Sequence, residues 1–192
     1  MSVDHWFDFV CPYCHIAQDR NRILRDSGIE VIEHGLRIHP EIPAGGTPAG
    51  PRIGPSYDLL TQQAEEARLP LNWSDRMPYT GTALAAFEWL NSTDRQVAER
   101  FATSVFTAYF AEQLDIESLD LLSTLAEAAG GDPAGLGAAL ADGTAYGALV
   151  LSEEHAAKYE VMTTPTWVVT GQVVSGLRPQ RWFRDLTRVL QG

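Results

Sequence analysis

The chain has 192 residues, of which 45% are hydrophobic and 20% are charged. This length can bury a substantial core, and this composition excludes wholesale disorder. Its 14 basic and 25 acidic residues give a formal net charge of −11 at pH 7, which disfavours nucleic acid and anionic membranes as partners because phosphate binding needs a clustered basic face.

The N-terminal segment predicts a βαβ unit. Residues 3–10 (VDHWFDFV) carry apolar side chains on both faces, which predicts a central strand. From Cys11 the apolar residues repeat at helical spacing until Gly28, which can end a helix. Residues 29–38 (IEVIEHGLRI) predict a second strand. A strand, helix and strand within 40 residues form a βαβ unit.

A connector and a long helical block follow. Residues 40–55 hold five prolines and four glycines, so they can form neither a helix nor a central strand. Ser56 can cap a helix that stops at Pro70. Thr93 and Gln96 form a T-x-x-Q capping box for a later helix. The predicted apolar face of that later helix consists of Val97, Phe101, Val105 and Ala108.

The helical block ends with two further helices. Asp132 followed by Pro133 occupies the cap and first-turn positions of one helix, which Gly143 closes. The last helix of the block is predicted to run from Thr144 to about Tyr159.

The tail returns to β structure. TPTWVVT (164–170) and QVVSGL (172–177) are close enough to form a hairpin, and a helix follows from Pro179. These strands are too few for two sheets. We therefore predict an α/β fold in which residues 1–55 and 156–192 form one unit and residues 56–155 form a helical insertion between the N-terminal βαβ and the C-terminal ββα.

The two cysteines of the chain lie in Cys11-Pro12-Tyr13-Cys14, at a predicted strand-to-helix junction. Residues three apart on a helix have Cβ atoms about 5–6 Å apart, so modest adjustment lets a disulfide close. The free N–H groups and the dipole at a helix start lower a thiol pKa, and proline is tolerated at the first helical position. The spacing predicts Cys11 as an attacking thiolate, exposed at the helix tip, and Cys14 as the thiol that resolves the mixed disulfide.

A structural disulfide and a zinc site are the alternatives for this pair. Closing a four-residue ring stabilises a fold by only about 2 kcal/mol before strain. His34 and His39 could complete a two-Cys, two-His set, but His34 follows Cys14 after a gap of 19 residues, and zinc fingers use about a dozen. Five apart on a straight strand, the two histidines would also face opposite sides. We expect no metal and no cofactor.

The sequence resembles the DsbA-family oxidoreductases, and in particular their FrnE-like cytoplasmic branch. The resemblance lies in DFVCPYCHIA (8–17), LRIHPEIPAGG (36–46), AYFAEQLDIESLDLLSTLAEAAGGD (108–132) and the Thr-Thr-Pro-Thr-Trp run at 163–167. These segments occur in the family's order and span nearly the whole chain.

This resemblance implies a thioredoxin-like fold with a helical insertion, Cys11 as nucleophile, Cys14 as resolving thiol and a cis peptide bond before Pro165. A cis-proline loop beside the reactive cysteine would pair with an incoming partner. The implied substrate-binding residues are therefore Pro12, Tyr13, Thr164 and Pro165. Two departures from the family pattern are the Thr-Thr pair that replaces Gly-Val before the proline and the histidine that replaces an aromatic residue after Cys14.

Two neighbours of the cysteines each have two possible roles. His15 could stabilise a thiolate when it is protonated, or lie on the helix surface without a role. Asp8 could relay a proton to Cys14, or serve as hydrogen-bonded structure.

The predicted function is exchange of disulfides with a protein or with a low-molecular-weight thiol. One alternative is a glutathione-dependent isomerase or kappa-type transferase, a group that typically places Ser where Cys11 stands. The other is a non-enzymatic redox-sensing or chaperone-like binding protein.

The first ten residues lack the basic region and cleavage site of a signal peptide, and no apolar run reaches the ~20 residues that span a bilayer. We therefore expect a cytoplasmic protein.

Overall fold

The computed structural model describes residues 1–191 and combines a four-stranded mixed sheet, a small two-stranded sheet and eight helices within those residues. In chain order the elements are β1 (Ser2–Phe7), α1 (Pro12–Asp26), β2 (Glu30–Gly35), β3 (Thr47–Pro48), α2 (Pro55–Ala67), β4 (Arg76–Met77), α3 (Gly81–Thr93), α4 (Arg95–Phe110), α5 (Leu119–Ala128), α6 (Pro133–Asp142), α7 (Thr144–Lys158), β5 (Thr166–Val169), β6 (Gln172–Ser175) and α8 (Gln180–Gln191).

The main sheet has the strand order β2-β1-β5-β6. Strand β1 runs parallel to β2 and antiparallel to β5, and β5 and β6 form an antiparallel hairpin. The predicted central strand, βαβ unit and tail hairpin are therefore confirmed, although β1 and β2 are shorter than expected. Sequence-adjacent β1 and β2 pair in parallel because α1 returns the chain between them.

Alternation along the strands gives the sheet two buried faces. Val3 and Trp167 pack on one face against α1 and against Phe183 of α8. Trp6 and Val168 point to the other face, where they contact α7 through Ala156. The apolar residues of β1 are Val3, Trp6 and Phe7, and His5 is buried between them as a hydrogen-bonded polar residue.

The helical segments lie between β2 and β5 in the chain, so the predicted α/β, thioredoxin-like fold with inserted helices is confirmed. The largest core cluster is continuous from Phe7 and the two cysteines to α3, α4 and α5. The predicted boundaries at 55/56 and 155/156 fall within α2 and α7. Division of the chain at those points remains a prediction.

Two predicted helix starts are wrong. Thr93 is the last residue of α3, and Asp94 caps α4 instead: its Oδ1 accepts hydrogen bonds from the backbone N–H groups of Gln96 at 2.9 Å and Val97 at 3.2 Å. Asp94 is the single residue between α3 and α4 and has an extended backbone, so it is the residue that can act as the N-cap of α4. Helix α2 begins at Pro55 rather than at a Ser56 cap, because Gly54 takes the cap position with a φ of 106°.

Other predicted helix ends are confirmed. Asp132 caps α6 by accepting a hydrogen bond from the N–H of Ala134 at 3.0 Å. Gly143 ends α6 with a φ of 88°, a left-handed conformation that glycine adopts without steric cost. The expected apolar face of α4 is buried.

No single helix among residues 1–191 has both the length and the apolar character needed to cross a membrane; α6 and α7 meet the criterion only as a pair, bent by 76°.

The corrected cap of α4 gives a test of local stability. We expect Asp94→Ala to lower the free energy of unfolding by about 1 kcal/mol, because two helix N–H groups lose their acceptor. Thr93→Ala, one residue earlier, should change it by less than about 0.5 kcal/mol. Urea unfolding of both variants measures the difference. A larger loss of unfolding free energy in Thr93→Ala than in Asp94→Ala would instead support Thr93 as the cap of α4.

Candidate active site at the start of helix α1

Cys11 occupies the N-cap position of α1, between the end of β1 and the first helical turn. Its backbone is extended, with φ −83° and ψ 113°, and Pro12 follows at the first helical position. Its N–H donates to the carbonyl of Asp8 at 3.1 Å, and its own carbonyl accepts from Cys14 N–H at 3.0 Å. The predicted strand-to-helix junction at the cysteine pair is therefore confirmed.

Both thiols are buried, so the prediction of an exposed Cys11 is wrong. Cys11 is 4% exposed and Cys14 is 0% exposed. Distant parts of the chain cover the helix start: the Cys11 thiol lies 3.4 Å from the carbonyl oxygen of Thr164, to which it donates a hydrogen bond. Its remaining exposure lies beside a cavity that Cys11 helps to line.

The loop at 163–165 lies over Cys11, and its Thr164–Pro165 peptide bond is cis, as expected. The carbonyl of Pro165 accepts from Gly176 N–H at 2.8 Å, which ties the loop to the end of β6. The Thr164 hydroxyl is buried and has no hydrogen-bond partner within residues 1–191. It is therefore available to the neighbouring thiol.

The pKa of Cys11 lies below the ordinary cysteine value as the balance of opposing effects. Burial raises the pKa, and the charge of Asp8 acts in the same direction. The Cys14 thiol, the Thr164 hydroxyl and the Cys14 backbone N–H can each donate to the thiolate, and together they bring the pKa below its ordinary value. The Thr164 carbonyl accepts a bond from the thiol but cannot stabilise the thiolate, so the hydroxyl is the group on that loop that favours ionisation.

Burial raises the pKa of Cys14 well above the ordinary value, and its hydrogen bond and charge interaction with Cys11 raise it further. Two adjacent thiols cannot both ionise cheaply in a buried site, and the one at the helix start takes the charge. The pair therefore consists of one thiolate-forming group and one protonated group within hydrogen-bonding contact.

Asp8 is fully buried at the end of β1. Its carboxylate accepts hydrogen bonds from the N–H groups of Val10 at 3.3 Å and Ile38 at 2.9 Å. Burial raises its pKa. Of the two predicted roles, these contacts support hydrogen-bonded structure, since they tie the cysteine segment to the chain after β2.

His15 is 1% exposed, so the prediction of a surface histidine is wrong. Its Nε2 donates to the carbonyl of Pro70 at 2.8 Å, its Nδ1 accepts from Gln18, and its ring stacks on Phe110 at 4.9 Å. Burial lowers the pKa of His15 to about 4. The imidazole is neutral at pH 7 and cannot stabilise a thiolate by its charge.

The histidines considered as zinc ligands are engaged elsewhere. His34 Nε2 pairs with Asp4 at 2.8 Å, and His39 Nδ1 pairs with Glu41 at 2.8 Å. Within the described part of the chain, no group of three or more His, Cys, Asp or Glu side chains is arranged to hold a metal ion.

A cavity of about 630 Å³ opens beside Cys11. Of the predicted substrate-binding residues, Pro12, Tyr13 and Thr164 line it, whereas Pro165 is absent from its lining. Its apolar wall is formed by Val10, Tyr13, Ile38, Tyr57, Leu60 and Met77. Its polar side chains, apart from Cys11 and the 163–164 loop, are His39, Arg52 and Ser56.

Sequence reasoning missed the contribution of residues 38–60 to this site. Arg52 lies within a proline- and glycine-rich connector, where nothing in the local pattern points to Cys11. The one available signal is a basic residue in a connector that has no periodic structure of its own.

Comparison with known proteins gives a family match and solved structures of similar fold. A family model described as DSBA-like thioredoxin domain matches residues 2–187. The structure of a probable DsbA oxidoreductase from Streptomyces coelicolor has a TM-score of 0.84 and 24% identity, covering 100% of this chain and 90% of that one.

Two further structures are similar in fold. A 2-hydroxychromene-2-carboxylate isomerase has a TM-score of 0.78 and 17% identity, covering 100% of this chain and 95% of its own. The cytosolic disulfide reductase DsbM from Pseudomonas aeruginosa with GSH has a TM-score of 0.68 and 15% identity, covering 100% and 98%. At these identities the structural likeness establishes the fold.

The effect of the Thr164 hydroxyl on the pKa of Cys11 can be tested by substitution. We expect Thr164→Val to raise the pKa of Cys11, because the thiolate loses a donor, whereas Thr164→Ser should keep it close to its starting value. Thiolate absorbance followed against pH in a Cys14→Ser background reports one thiol at a time. If the pKa of Cys11 is unchanged or lower in Thr164→Val, donors other than the Thr164 hydroxyl stabilise the Cys11 thiolate.

The buried His15 predicts a pH dependence of stability. Its pKa is lowered on folding, so its neutral form supports the folded state above about pH 6.5, and this support is lost as the pH falls towards 4. Between pH 7 and pH 5 the free energy of unfolding should fall by about 2 kcal/mol from this group alone. Urea unfolding of His15→Gln should show a loss smaller by that amount. Equal losses in both proteins would contradict the low pKa.

Proposed function

The chain belongs to the DSBA-like thioredoxin domain family of thiol–disulfide oxidoreductases, and on that premise we propose that Cys11 and Cys14 exchange a disulfide with an incoming substrate. The observation that carries the proposal is the placement of two neighbouring thiols at the start of α1: Cys11 is the N-cap residue and lines the cavity, whereas Cys14 lies one turn deeper, fully buried and outside the lining. The directions of the two pKa shifts agree with this arrangement. Cys11 is the nucleophile, and Cys14 is the resolving thiol.

In the first step the Cys11 thiolate attacks one sulfur of a disulfide R–S–S–R. A bond forms between Cys11 Sγ and that sulfur, the S–S bond of the substrate breaks, and one RS⁻ leaves. The leaving thiolate accepts the proton of Cys14, whose raised pKa has kept it protonated until then. The lowered pKa of Cys11 increases the fraction of this thiol that is present as the attacking thiolate.

In the second step the Cys14 thiolate attacks Cys11 Sγ and displaces the second RS⁻. The protein pair loses two electrons and becomes a disulfide, while the substrate gains them and becomes two thiols. Cys14 is buried and next to Cys11, so this intramolecular attack needs no second substrate to enter. The reverse sequence oxidises a dithiol substrate.

Substrate contact is proposed for the residues around Cys11. Pro12 and Tyr13 border the cavity from α1, and Thr164 borders it from the loop before β5. Pro165 holds the loop that presents Thr164. An extended substrate segment beside this loop would meet backbone polar groups as well as Cys11.

We propose that the chain works in the cytoplasm, which the cytosolic neighbour from Pseudomonas aeruginosa supports. In that compartment a pair about 100 mV more oxidising than the glutathione pool would be held reduced by about 5 kcal/mol. Reduction or isomerisation of disulfides is therefore the proposed direction.

The isomerase and transferase alternative finds support in the fold of the 2-hydroxychromene-2-carboxylate isomerase. That chemistry does not require a second cysteine, whereas this chain places Cys14 in contact with Cys11. The paired thiols therefore favour disulfide exchange over this alternative and over a non-enzymatic sensor.

The two cysteines have separable roles that substitution can expose. Cys11→Ser should abolish exchange, whereas Cys14→Ser should accumulate a mixed disulfide on Cys11 because the second attack is missing. Mass spectrometry after acid quenching detects the adduct, and insulin reduction measures turnover. An adduct on Cys14 in Cys11→Ser, with Cys11 inert to alkylation at pH 7 in Cys14→Ser, would reverse the assignment.

A further inference from the structure

The cavity beside Cys11 has the dimensions of a small-molecule site. Its volume of about 630 Å³ falls within the ~300–1,000 Å³ that enclose small ligands. Cys11 is 4% exposed and is one of the residues that line this space. A small disulfide can enter and place a sulfur against Cys11.

The lining of this cavity contains a basic residue and no acidic residue, although the chain as a whole is strongly acidic. The chain carries a net charge of −11, yet no aspartate or glutamate is among the lining residues, whereas Arg52 is. His39, also in the lining, is paired with exposed Glu41. Asp8 is buried and bonded to backbone N–H groups, outside the lining.

The guanidinium of Arg52 packs over an aromatic ring and has N–H groups without hydrogen-bond partners. Its guanidinium carbon lies 5.1 Å from the centroid of the Trp73 ring, and Trp73 packs edge-on against Tyr57 at 5.4 Å. Its Nε is buried and has no hydrogen-bond partner among residues 1–191. Arg52 itself is only partly buried and lines the cavity, and no side-chain hydrogen bond or ion pair within residues 1–191 engages its terminal N–H groups. These N–H groups can therefore donate to a ligand in the cavity.

We propose that Arg52 binds a carboxylate of a low-molecular-weight thiol or of its disulfide, an inference that rests on the proposed disulfide exchange at Cys11. A guanidinium matches a carboxylate with two parallel hydrogen bonds. One Arg neutralises one negative charge, and Ser56 adds a hydroxyl at the start of α2. This donor set suits a monoanion better than a doubly charged phosphate.

The substrate class follows from these two points of contact. The thiol must carry its carboxylate on the same small molecule as its sulfur, as amino-acid and short-peptide thiols do. The carboxylate would fix the molecule against Arg52 while its sulfur faces Cys11, which raises the rate by orientation. Arg52 is then a specificity residue of the exchange reaction.

The proposal is tested with glutathione disulfide and its tetraethyl ester, which share a skeleton but differ in their carboxylates. The reduced chain is mixed with each disulfide, and the second-order rate constant for its oxidation is measured by acid quench and thiol alkylation. In the unmutated chain the acid should react about tenfold to a hundredfold faster than the ester, as expected for a charged hydrogen-bonded pair.

Arg52→Gln should lower this acid-to-ester rate ratio by about tenfold or more, and Arg52→Lys should lower it less. The matched control is Arg181→Gln, which removes the same charge from an exposed site on α8 outside the cavity. Its ratio should equal that of the unmutated chain.

The outcomes separate this inference from the proposed function. Oxidation by neither disulfide would overturn disulfide exchange at Cys11 itself. Equal rates for acid and ester in the unmutated chain, or an unchanged ratio in Arg52→Gln, would overturn the role of Arg52 while leaving exchange intact. If circular dichroism shows that Arg52→Gln does not fold, the acid-to-ester ratio of the unmutated chain decides.

Discussion

The antiparallel pairing of β1 with β5 is the constraint on which the site depends. Trp6 pairs with Thr166 in that register, so the end of β1 lies beside the beginning of β5. The segment that continues from β1 contains Cys11, and the residue two places before β5 is Thr164. Two segments 153 residues apart in the chain therefore meet as a thiol and a carbonyl 3.4 Å apart. Sheet register, more than any local motif, assembles the reactive centre.

At that centre burial and hydrogen bonding have opposite effects on the pKa of Cys11, whereas for Cys14 the effect of burial prevails. Both cysteines are withdrawn from water, which by itself would leave both protonated. Cys11 sits at a helix start, where the Cys14 N–H and thiol and the Thr164 side chain favour its charge. Cys14 lies one turn deeper, where ionised Cys11 disfavours a second charge. The order of the two chemical steps follows from this asymmetry.

Local patterns predicted what depends on neighbouring residues, including the βαβ unit, the helix beginning after Cys11 and the tail hairpin. The cis bond at Pro165 was implied by the family resemblance instead. The errors concern contacts between distant segments. His15 is buried because Pro70 and Phe110 cover it, and the burial of Cys11 depends on Thr164. No window of sequence around these residues contains those contacts. The misplaced cap at Thr93 has another cause: two adjacent residues could both act as caps, and backbone conformation decided between them.

The helical insertion and its connector determine what can approach the thiolate. Residues 38–60 supply Ile38, Arg52, Tyr57 and Leu60 to the cavity wall, while the sheet-based unit supplies Cys11 and the loop that contacts it. The reactive chemistry therefore lies on elements fixed by the sheet, where register holds the two thiols and Thr164 in place. In the proposed exchange, the surface that selects the substrate lies on this proline- and glycine-rich connector and on the first turns of α2, outside the strands whose register holds Cys11 and Thr164 together.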